Sequence, residues 1–202
     1  MGLEGTPITF ILLAANVLAS FIAFSNPGFL SANLLTTNGV RAGEVQRLLT
    51  SGFIHGSGVH LFVNMLTLYF FGPYLEQMLG PVNYLIVYFG ALIGGSAWAL
   101  VENWKNPNYA ALGASGAISG VIVSFCVFEP FAMLYIFFAI PMPAIVFAVL
   151  YIAFSAAMTG RANKRIAHEA HLGGALAGLA LTLILVPGSG SAMIEAVRDY
   201  FG

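Results

Sequence analysis

Residues 111–120 read ALGASGAISG and gather three glycines and two serines at the start of an apolar segment, VIVSFCVF. A polar side chain inside a membrane is costly, so it indicates either an internal hydrogen bond or a function. Gly116 and Gly120 form a face of small residues that permits close helix packing. The stretch therefore predicts a closely packed helix that carries hydroxyl groups. Taken alone, Ser115 is more typical of helix packing than of catalysis, because short motifs of this kind have many false positives.

The composition of the whole chain is that of a membrane protein. Of its 202 residues, 59% are hydrophobic and 7% are charged, with a mean hydropathy of +0.89, whereas soluble domains carry roughly 25% charged residues. Crossing the hydrocarbon core takes roughly 20 helical residues. We predict an all-α polytopic membrane protein, a single transmembrane domain over residues 1–202 that ends in a short polar tail at 188–202. Its six predicted transmembrane helices are 7–24, 58–78, 82–102, 112–128, 143–159 and 169–187.

The sequence also excludes several functions. A net charge of −1 without a run of basic residues gives no electrostatic attraction to nucleic acid. Asp199 is the only aspartate, which excludes an aspartyl intramembrane protease, since that chemistry needs two carboxylates. Cys126 is the only cysteine, and the residues HEAH at 168–171 lack the H-E-x-x-H spacing of a zinc protease. We therefore predict no metal and no cofactor.

A second polar cluster lies in the last predicted span, in the residues HLGGALAG. His171, Gly174 and Gly178 recur there at three and four residues and share one helix face. For Ser115 to reach His171 at roughly 3 Å, the two helices have to approach closely, and glycines on both helices permit that approach. Ser115 and His171 are therefore a candidate nucleophile and base, although each alone is more typical of packing or hydrogen bonding.

His60 and Asn64 lie one turn apart on the second predicted span. From one helix face they could project a ring N–H and an amide NH2 into the same cavity. Hydrolysis of a peptide bond needs such donors for the oxyanion. Hydrogen bonding between helices explains the pair equally well, so both interpretations stay open at this point.

Similarity to a known family adds to this pattern. The pieces RLLTSGFIHG, HLFVN, GPYLEQMLG, GASG, IPMP and AHLGGALAG occur in that order between residues 47 and 178. Together they resemble the rhomboid family of intramembrane serine proteases. The resemblance implies that Ser115 is the nucleophile and His171 the general base. It also implies that the side chains of His60 and Asn64, together with Ser115 itself, stabilise the oxyanion.

The same resemblance implies a compact bundle of six transmembrane helices with a membrane-embedded first loop. The supporting residues that it implies are Arg47 and His55 in the first loop, Glu76 at the end of the second helix, and the glycines Gly113, Gly116, Gly174 and Gly178. The chain departs from the family pattern in having Gln46 where Trp is frequent, Met78 where Arg is frequent, and His168 where a small or amide residue is frequent. The first two departures concern the anchoring of the loop, and the third concerns hydrogen bonding around His171.

The expected partners are membrane lipid and transmembrane protein substrates. A transmembrane helix hides its carbonyl groups in its own hydrogen bonds, so a substrate must unwind locally before attack. We therefore expect substrates with helix-weakening residues near the cut. The alternative function is a rhomboid-like protein that binds membrane proteins without cutting them, which is disfavoured because the serine, the histidine and both oxyanion side chains are all present.

The location and orientation in the membrane are two further expectations. We expect a multi-pass integral protein of the cell membrane. Six of the seven basic residues lie in the odd-numbered connections between the predicted spans, which the positive-inside rule places in the cytoplasm. The resemblance implies the opposite orientation, so both orientations remain open.

Overall fold

The computed structural model describes residues 5–136, 139–159 and 167–202. In these ranges the chain forms helices and two small antiparallel strand pairs. The helices are α1 (Pro7–Ser25), α2 (Pro27–Asn33), α3 (Thr37–Arg41), α4 (Arg47–Thr50), α5 (Gly58–Glu102), α6 (Ser115–Phe128), α7 (Ala144–Met158), α8 (His168–Leu185) and α9 (Ser189–Phe201). The strands are β1 (Leu35–Thr36), β2 (Ala110–Ala111), β3 (Met133–Ile136) and β4 (Ile140–Pro143); β1 pairs with β2, and β3 with β4.

Gly80 divides α5 into two segments. Its φ of +74° lies in the left-handed region that favours glycine, and Pro81 follows it. In a continuous helix residues 72 and 84 would lie about 18 Å apart. A Cβ atom on Gly72 would nevertheless lie 2.8 Å from Tyr84 Oη. The chain therefore turns back at Gly80, and the two halves of α5 form an antiparallel pair at the place where the sequence predicts two spans.

Helix α6 lies at the centre of the molecule. Eleven of its 14 residues are buried, because α5 and α8 both pack against it. A helix that is apolar on all sides is typical of such a buried position. Ser115, the first residue of α6, is half-buried at the end of this central helix.

Among the described residues, three helices are long and apolar enough to cross a membrane, namely α1, α5 and α8. Helices α6 and α7 are also apolar but shorter, with 14 and 15 residues. The outer faces expose large apolar side chains, such as Leu18, Phe70 and Val149, as expected for surfaces that contact lipid. Arg161, Lys164 and Arg165, which bear on the orientation in the membrane, lie outside the described residues.

The polar tail that the sequence predicts at the end of the chain forms a helix, α9, over 13 residues. The ring of Tyr200 stacks on Phe131, with centroids 4.0 Å apart, so α9 packs against the segment that follows α6. The mean hydropathy of this segment does not indicate a helix, because charged residues lie among the apolar ones and lower the average. The relevant pattern is the helical spacing of half-buried residues such as Met193 and Val197, which is typical of an amphipathic helix.

Glu76 joins α5 to the first turn of α1. Its side chain is 2% exposed and accepts hydrogen bonds from the backbone N–H of Ile8 at 2.9 Å and of Thr9 at 2.8 Å, and from the Thr9 hydroxyl at 2.7 Å. The first N–H groups of a helix have no partner within the helix, and an anion is favoured beside them. Glu76 therefore caps α1 and holds it against α5.

We expect Glu76→Ala to lower the thermal stability of the purified protein. The substitution leaves three donors without their acceptor, and an unsatisfied buried donor costs roughly 1–3 kcal/mol. In a chain of this length each kcal/mol lowers the melting temperature by roughly 2–4 °C. Thermal unfolding in detergent measures the shift, with Glu195→Ala on the exposed side of α9 as the control. An unchanged melting temperature in Glu76→Ala would show that the cap contributes nothing.

Candidate active site

The hydroxyl of Ser115 and the imidazole of His171 face each other between α6 and α8. Ser115 Oγ lies 2.8 Å from His171 Nε2, a distance at which a base can take the hydroxyl proton. Ser115 is the first residue of α6, and His171 lies in the first turn of α8. The two residues that the sequence predicts as a pair are thus in hydrogen-bond contact.

Glycines allow α6 and α8 to come this close. A Cβ atom on Gly174 would lie 2.1 Å from the carbonyl oxygen of Gly116, and one on Gly178 would lie 2.4 Å from the Cα of Gly120. Neither position has room for a side chain, and backbone contact of this kind is what small residues permit between membrane helices. The helix faces inferred from glycine spacing are therefore the faces that meet.

Ser119 lies one turn after Ser115, so spacing alone does not distinguish the two serines as nucleophiles. Ser119 Oγ lies 2.6 Å from the carbonyl oxygen of Ser115 and 2.5 Å from Tyr151 Oη. Within the described residues, the hydroxyl of Ser119 makes no hydrogen bond to His171. The geometry therefore places Ser115, and not Ser119, beside the imidazole.

The segment before Ser115 is held by its backbone. Strand β2 pairs with β1 of the first loop, and the N–H of Gly113 donates to the carbonyl of Ser51 at 2.9 Å. Gly113 has a φ of +111°, which favours glycine, and a Cβ atom there would lie 2.6 Å from Cε1 of His60. Gly113 therefore has two physical reasons to be glycine, its conformation and its contact with the His60 ring.

His55 supports the same segment from the first loop. Its Nδ1 lies 2.9 Å from Ser20 Oγ, and its Nε2 accepts from the N–H of Ala114 at 3.4 Å. Burial, together with the nearby His60, lowers the pKa of His55 to about 3. The ring is therefore neutral at physiological pH, as an acceptor at Nε2 requires. His55 links α1 and the first loop to the residue that precedes the candidate nucleophile.

His60 and Asn64 line the same cavity as Ser115 and His171. The volume of this cavity is about 1170 Å³, somewhat above the roughly 300–1,000 Å³ of ligand sites in proteins. Asn64 Nδ2 donates to the carbonyl of His60 at 3.0 Å, which uses one of its two amide hydrogens. All four polar residues that the sequence predicts for the chemistry therefore border one cavity.

Arg47 and Glu76 lie apart from the cavity-lining residues. Arg47 Nη1 donates to the carbonyl oxygens of Ser31 and Leu34, both at 2.7 Å, and its Nε donates to Glu44 Oε2 at 2.6 Å. These contacts tie together separate turns of the first loop. Arg47 thus contacts the loop, and Glu76 contacts α1, rather than the Ser115–His171 pair.

Sequence reasoning missed two polar residues near the pair. Tyr151 of α7 lines the cavity, and its ring stacks on that of His171 with centroids 6.1 Å apart. Glu169 is buried two residues before His171 and accepts a hydrogen bond from Asn103 Nδ2 at 2.9 Å. A glutamate in an apolar span indicates an internal partner, so Glu169 could have been singled out. No pattern in the sequence associates Tyr151 with His171.

The glycines of α5 were also missed. A Cβ atom on Gly95 would lie 2.5 Å from the carbonyl oxygen of Ala170, and one on Gly94 would lie 2.7 Å from the Cβ of Ala177. These contacts bring the second half of α5 against α8, next to the turn that carries His171. The four-residue spacing from Gly90 to Gly94 is the feature of the sequence that could have indicated this interface.

A protein family and several known proteins resemble large parts of the chain. The Rhomboid domain family matches residues 42–188. RHOMBOID-like protein 12, mitochondrial, of Arabidopsis thaliana is 28% identical over 86% of this chain and 57% of that protein. Putative rhomboid protease YdcA of Bacillus subtilis is 40% identical over 41% of each chain. Inactive RHOMBOID-like protein 8 of Arabidopsis thaliana is 35% identical over 48% of this chain and 26% of that protein.

The chain thus spans between 26% and 57% of the length of these relatives. Their names include both a protease and an inactive protein. The Rhomboid match covers α5 to α8 and all four polar residues that line the cavity. Together with the long apolar helices, this match makes the chain an integral, multi-pass membrane protein. The chain belongs to the rhomboid family.

Proposed function

We propose that the chain is an intramembrane serine endopeptidase. The observation that carries this proposal is the distance of 2.8 Å between Ser115 Oγ and His171 Nε2 at the wall of a large cavity. A serine hydroxyl beside a ring nitrogen is the arrangement that nucleophilic catalysis by serine needs. The name of one relative, Putative rhomboid protease YdcA, supports the same activity.

The proposed reaction forms and then hydrolyses an acyl-enzyme. Ser115 Oγ attacks the carbonyl carbon of the scissile bond while His171 Nε2 accepts the hydroxyl proton. His171 then donates this proton to the leaving amine nitrogen as the C–N bond breaks, and the acyl group remains on Ser115. A water molecule attacks the acyl carbon and gives a proton to His171. The ester bond breaks, and the proton returns to Ser115 Oγ.

Three groups are proposed to stabilise the oxyanion that forms during both steps. Ser115 is the first residue of α6, so its backbone N–H has no partner within the helix. The partial positive charge of a helix N-terminus favours negative charge at this point. The side chains of His60 and Asn64 border the same cavity, and donors aimed at the developing charge are the main source of rate enhancement in such sites.

The proposed substrates are transmembrane segments of other proteins that contain helix-weakening residues.

We propose six membrane crossings, made by α1, the two halves of α5, α6, α7 and α8, with the first loop embedded in the membrane. A substrate would then enter from the lipid past α7, whose outer face exposes Val146, Val149 and Leu150. We propose the cell membrane as the location, and fractionation of the source cells decides between it and an organelle membrane.

The proposal is tested by incubating the purified protein in lipid nanodiscs with a panel of single-span substrates. The panel pairs each substrate with a version in which Gly, Pro and polar residues near the middle are replaced by Leu. We expect cleavage of the first set, in or beside the membrane segment, and mass spectrometry locates the cut. Cleavage that stops with a chelator and returns with zinc would contradict a serine mechanism.

A rhomboid protein that binds membrane proteins without cutting them is the second candidate, and one relative, Inactive RHOMBOID-like protein 8, is named as inactive. That function requires neither a hydroxyl nor a base at the cavity. Reaction of Ser115 with a fluorophosphonate probe separates the two candidates, because it reports an activated serine without any substrate protein. We expect the probe to label Ser115, and an unlabelled native protein would favour the binding function.

We expect Asn64→Ala to lower turnover by roughly 100-fold or more while the apparent substrate affinity barely changes, because a donor to the oxyanion strengthens its interaction only in the transition state. If Asn64 had only a structural role, through its hydrogen bond to the carbonyl of His60, its loss would lower stability by roughly 0.6 kcal/mol, the average for an intramembrane hydrogen bond. Turnover, apparent affinity and melting temperature measured on one preparation separate these outcomes. Intact turnover with a lowered melting temperature would remove Asn64 from the oxyanion site.

A further inference from the structure

Helix α7 presents a narrow stripe of residues to the rest of the molecule. Its buried residues are Ala144, Ala148 and Ser155, and Tyr151 lies between them at helical spacing on the same face. The three buried side chains are small, whereas Tyr151 is large. Within the described residues, Tyr151 is also the only residue of α7 that lines the cavity. Tyr151 therefore forms the wall of the cavity on the side of α7.

Two consecutive hydrogen bonds connect the hydroxyl of Tyr151 on α7, through Ser119, to the backbone of Ser115. Tyr151 Oη lies 2.5 Å from Ser119 Oγ, which lies 2.6 Å from the carbonyl oxygen of Ser115. A carbonyl oxygen only accepts, so Ser119 donates to Ser115, and Tyr151 donates to Ser119. In the ranges that the structure describes, no other side-chain hydrogen bond joins α7 to another helix.

The ring of Tyr151 contacts the base directly. It stacks on the imidazole of His171, with centroids 6.1 Å apart and an angle of 21° between the planes, which is typical of offset stacking. Within the described parts of the chain, no carboxylate hydrogen-bonds to His171. The Tyr151 ring on one side and the ring of His168, with its centroid 5.9 Å away and at 78°, together restrict the imidazole plane in the orientation that turns Nε2 towards Ser115.

We propose that Tyr151 is a positioning residue that couples the closure of α7 to the alignment of Ser115 and His171. The inference rests on the proposed function. When α7 moves outward to admit a transmembrane segment, the bond from Tyr151 to Ser119 breaks and the ring leaves His171. When α7 closes on the bound segment, both contacts return and the imidazole is aligned. The hydroxyl thus opposes opening, and the ring supports the base.

Two substitutions separate these roles. Tyr151→Phe removes the hydroxyl and keeps the ring, and Ser119 still has its acceptor. We expect cleavage of transmembrane substrates to rise by about threefold, the factor that corresponds to the ~0.6 kcal/mol of an average intramembrane hydrogen bond, and fluorophosphonate labelling to fall less than in Tyr151→Leu, because the ring is retained. Tyr151→Leu also removes the ring, and we expect the labelling rate of Ser115 to fall by up to roughly tenfold, as the loss of an aromatic pair predicts.

The matched control is Tyr74→Phe. Tyr74 Oη donates to Glu129 Oε1 at 2.6 Å, so this variant also loses a tyrosine hydrogen bond between separate parts of the chain, but away from the cavity-lining residues. We expect its cleavage and labelling rates to match those of the native protein. An equal cleavage rate in Tyr151→Phe and the native protein, or a native labelling rate in Tyr151→Leu, would overturn the proposed role of Tyr151.

A measurement of distance tests the same inference without any activity. Spin labels at Phe62→Cys and Val149→Cys, at positions 63% and 62% exposed, report the separation of α5 and α7, while the buried Cys126 stays unlabelled. Double electron–electron resonance in nanodiscs should show longer distances in Tyr151→Phe than in the native background or in Tyr74→Phe. Unchanged distances would overturn the tether. A native protein that neither labels nor cleaves would reject the proposed function instead, and these distances would still test the tether.

Discussion

Ser115→Ala is expected to abolish both cleavage of transmembrane substrates and labelling by a fluorophosphonate. The substitution removes the hydroxyl that lies 2.8 Å from His171 Nε2. The catalytic residues of a serine protease act as a unit, so the loss of the serine removes nearly all of their contribution to the rate. Turnover should therefore fall by at least about 1000-fold. Cleavage assays and labelling of the same preparation measure the two effects.

The control for this variant is Ser124→Ala, a change of another hydroxyl on α6. Ser124 Oγ donates to the carbonyl of Gly178 at 3.3 Å and accepts from Thr182 Oγ1 at 2.7 Å, away from the cavity-lining residues. We expect Ser124→Ala to keep its labelling and its cleavage. Labelling that survives Ser115→Ala but disappears in Ser119→Ala would identify the other serine as the nucleophile.

Gly174→Ala is expected to lower turnover by on the order of 100-fold or more in a protein that still inserts into the membrane, and Gly174→Val should abolish it. A Cβ atom at this position would lie 2.1 Å from the carbonyl oxygen of Gly116. The contact is with backbone, so no side-chain rotation relieves it, and α8 has to move away from α6. His171 then moves away from Ser115, and a displacement of about 1 Å can lower a rate by about 100-fold.

A glycine without close neighbours provides the comparison for this variant. A Cβ atom on Gly58, at the start of α5, would have no heavy atom within 4 Å. We expect Gly58→Ala to cleave substrates at the native rate and to unfold at the native temperature. Full activity in Gly174→Ala would mean that α6 and α8 do not meet at this face in the functioning protein.

The features that could be predicted from the sequence are those that depend on local spacing. The four-residue recurrence of glycines predicts the contact face between α6 and α8, because a helix places such residues on one side. The polar residues Ser115 and His171 could be singled out because apolar spans make each of them conspicuous. The turn at Gly80 could also be predicted, because glycine and proline interrupt the apolar run between two predicted spans there.

The features that could not be predicted depend on which distant residues meet. Glu76 is conspicuous in the sequence, but nothing there indicates that its partners are Ile8 and Thr9. Tyr151 is an ordinary aromatic residue in an apolar helix until the packing of α7 brings it to His171. The periodicity of a helix specifies a face, and only the arrangement of several helices specifies which side chain that face will meet.

The contact of Glu76 with α1 also has a consequence for the order in which the protein is made. Ile8 and Thr9 leave the ribosome well before Glu76, so the donors that receive the buried carboxylate are synthesised first. A carboxylate that enters the lipid without a partner is unfavourable, whereas one that meets a helix N-terminus is stabilised there. We therefore expect α1 to act during biogenesis as a receiving site for α5, so that a chain made without its first helix would insert α5 less efficiently.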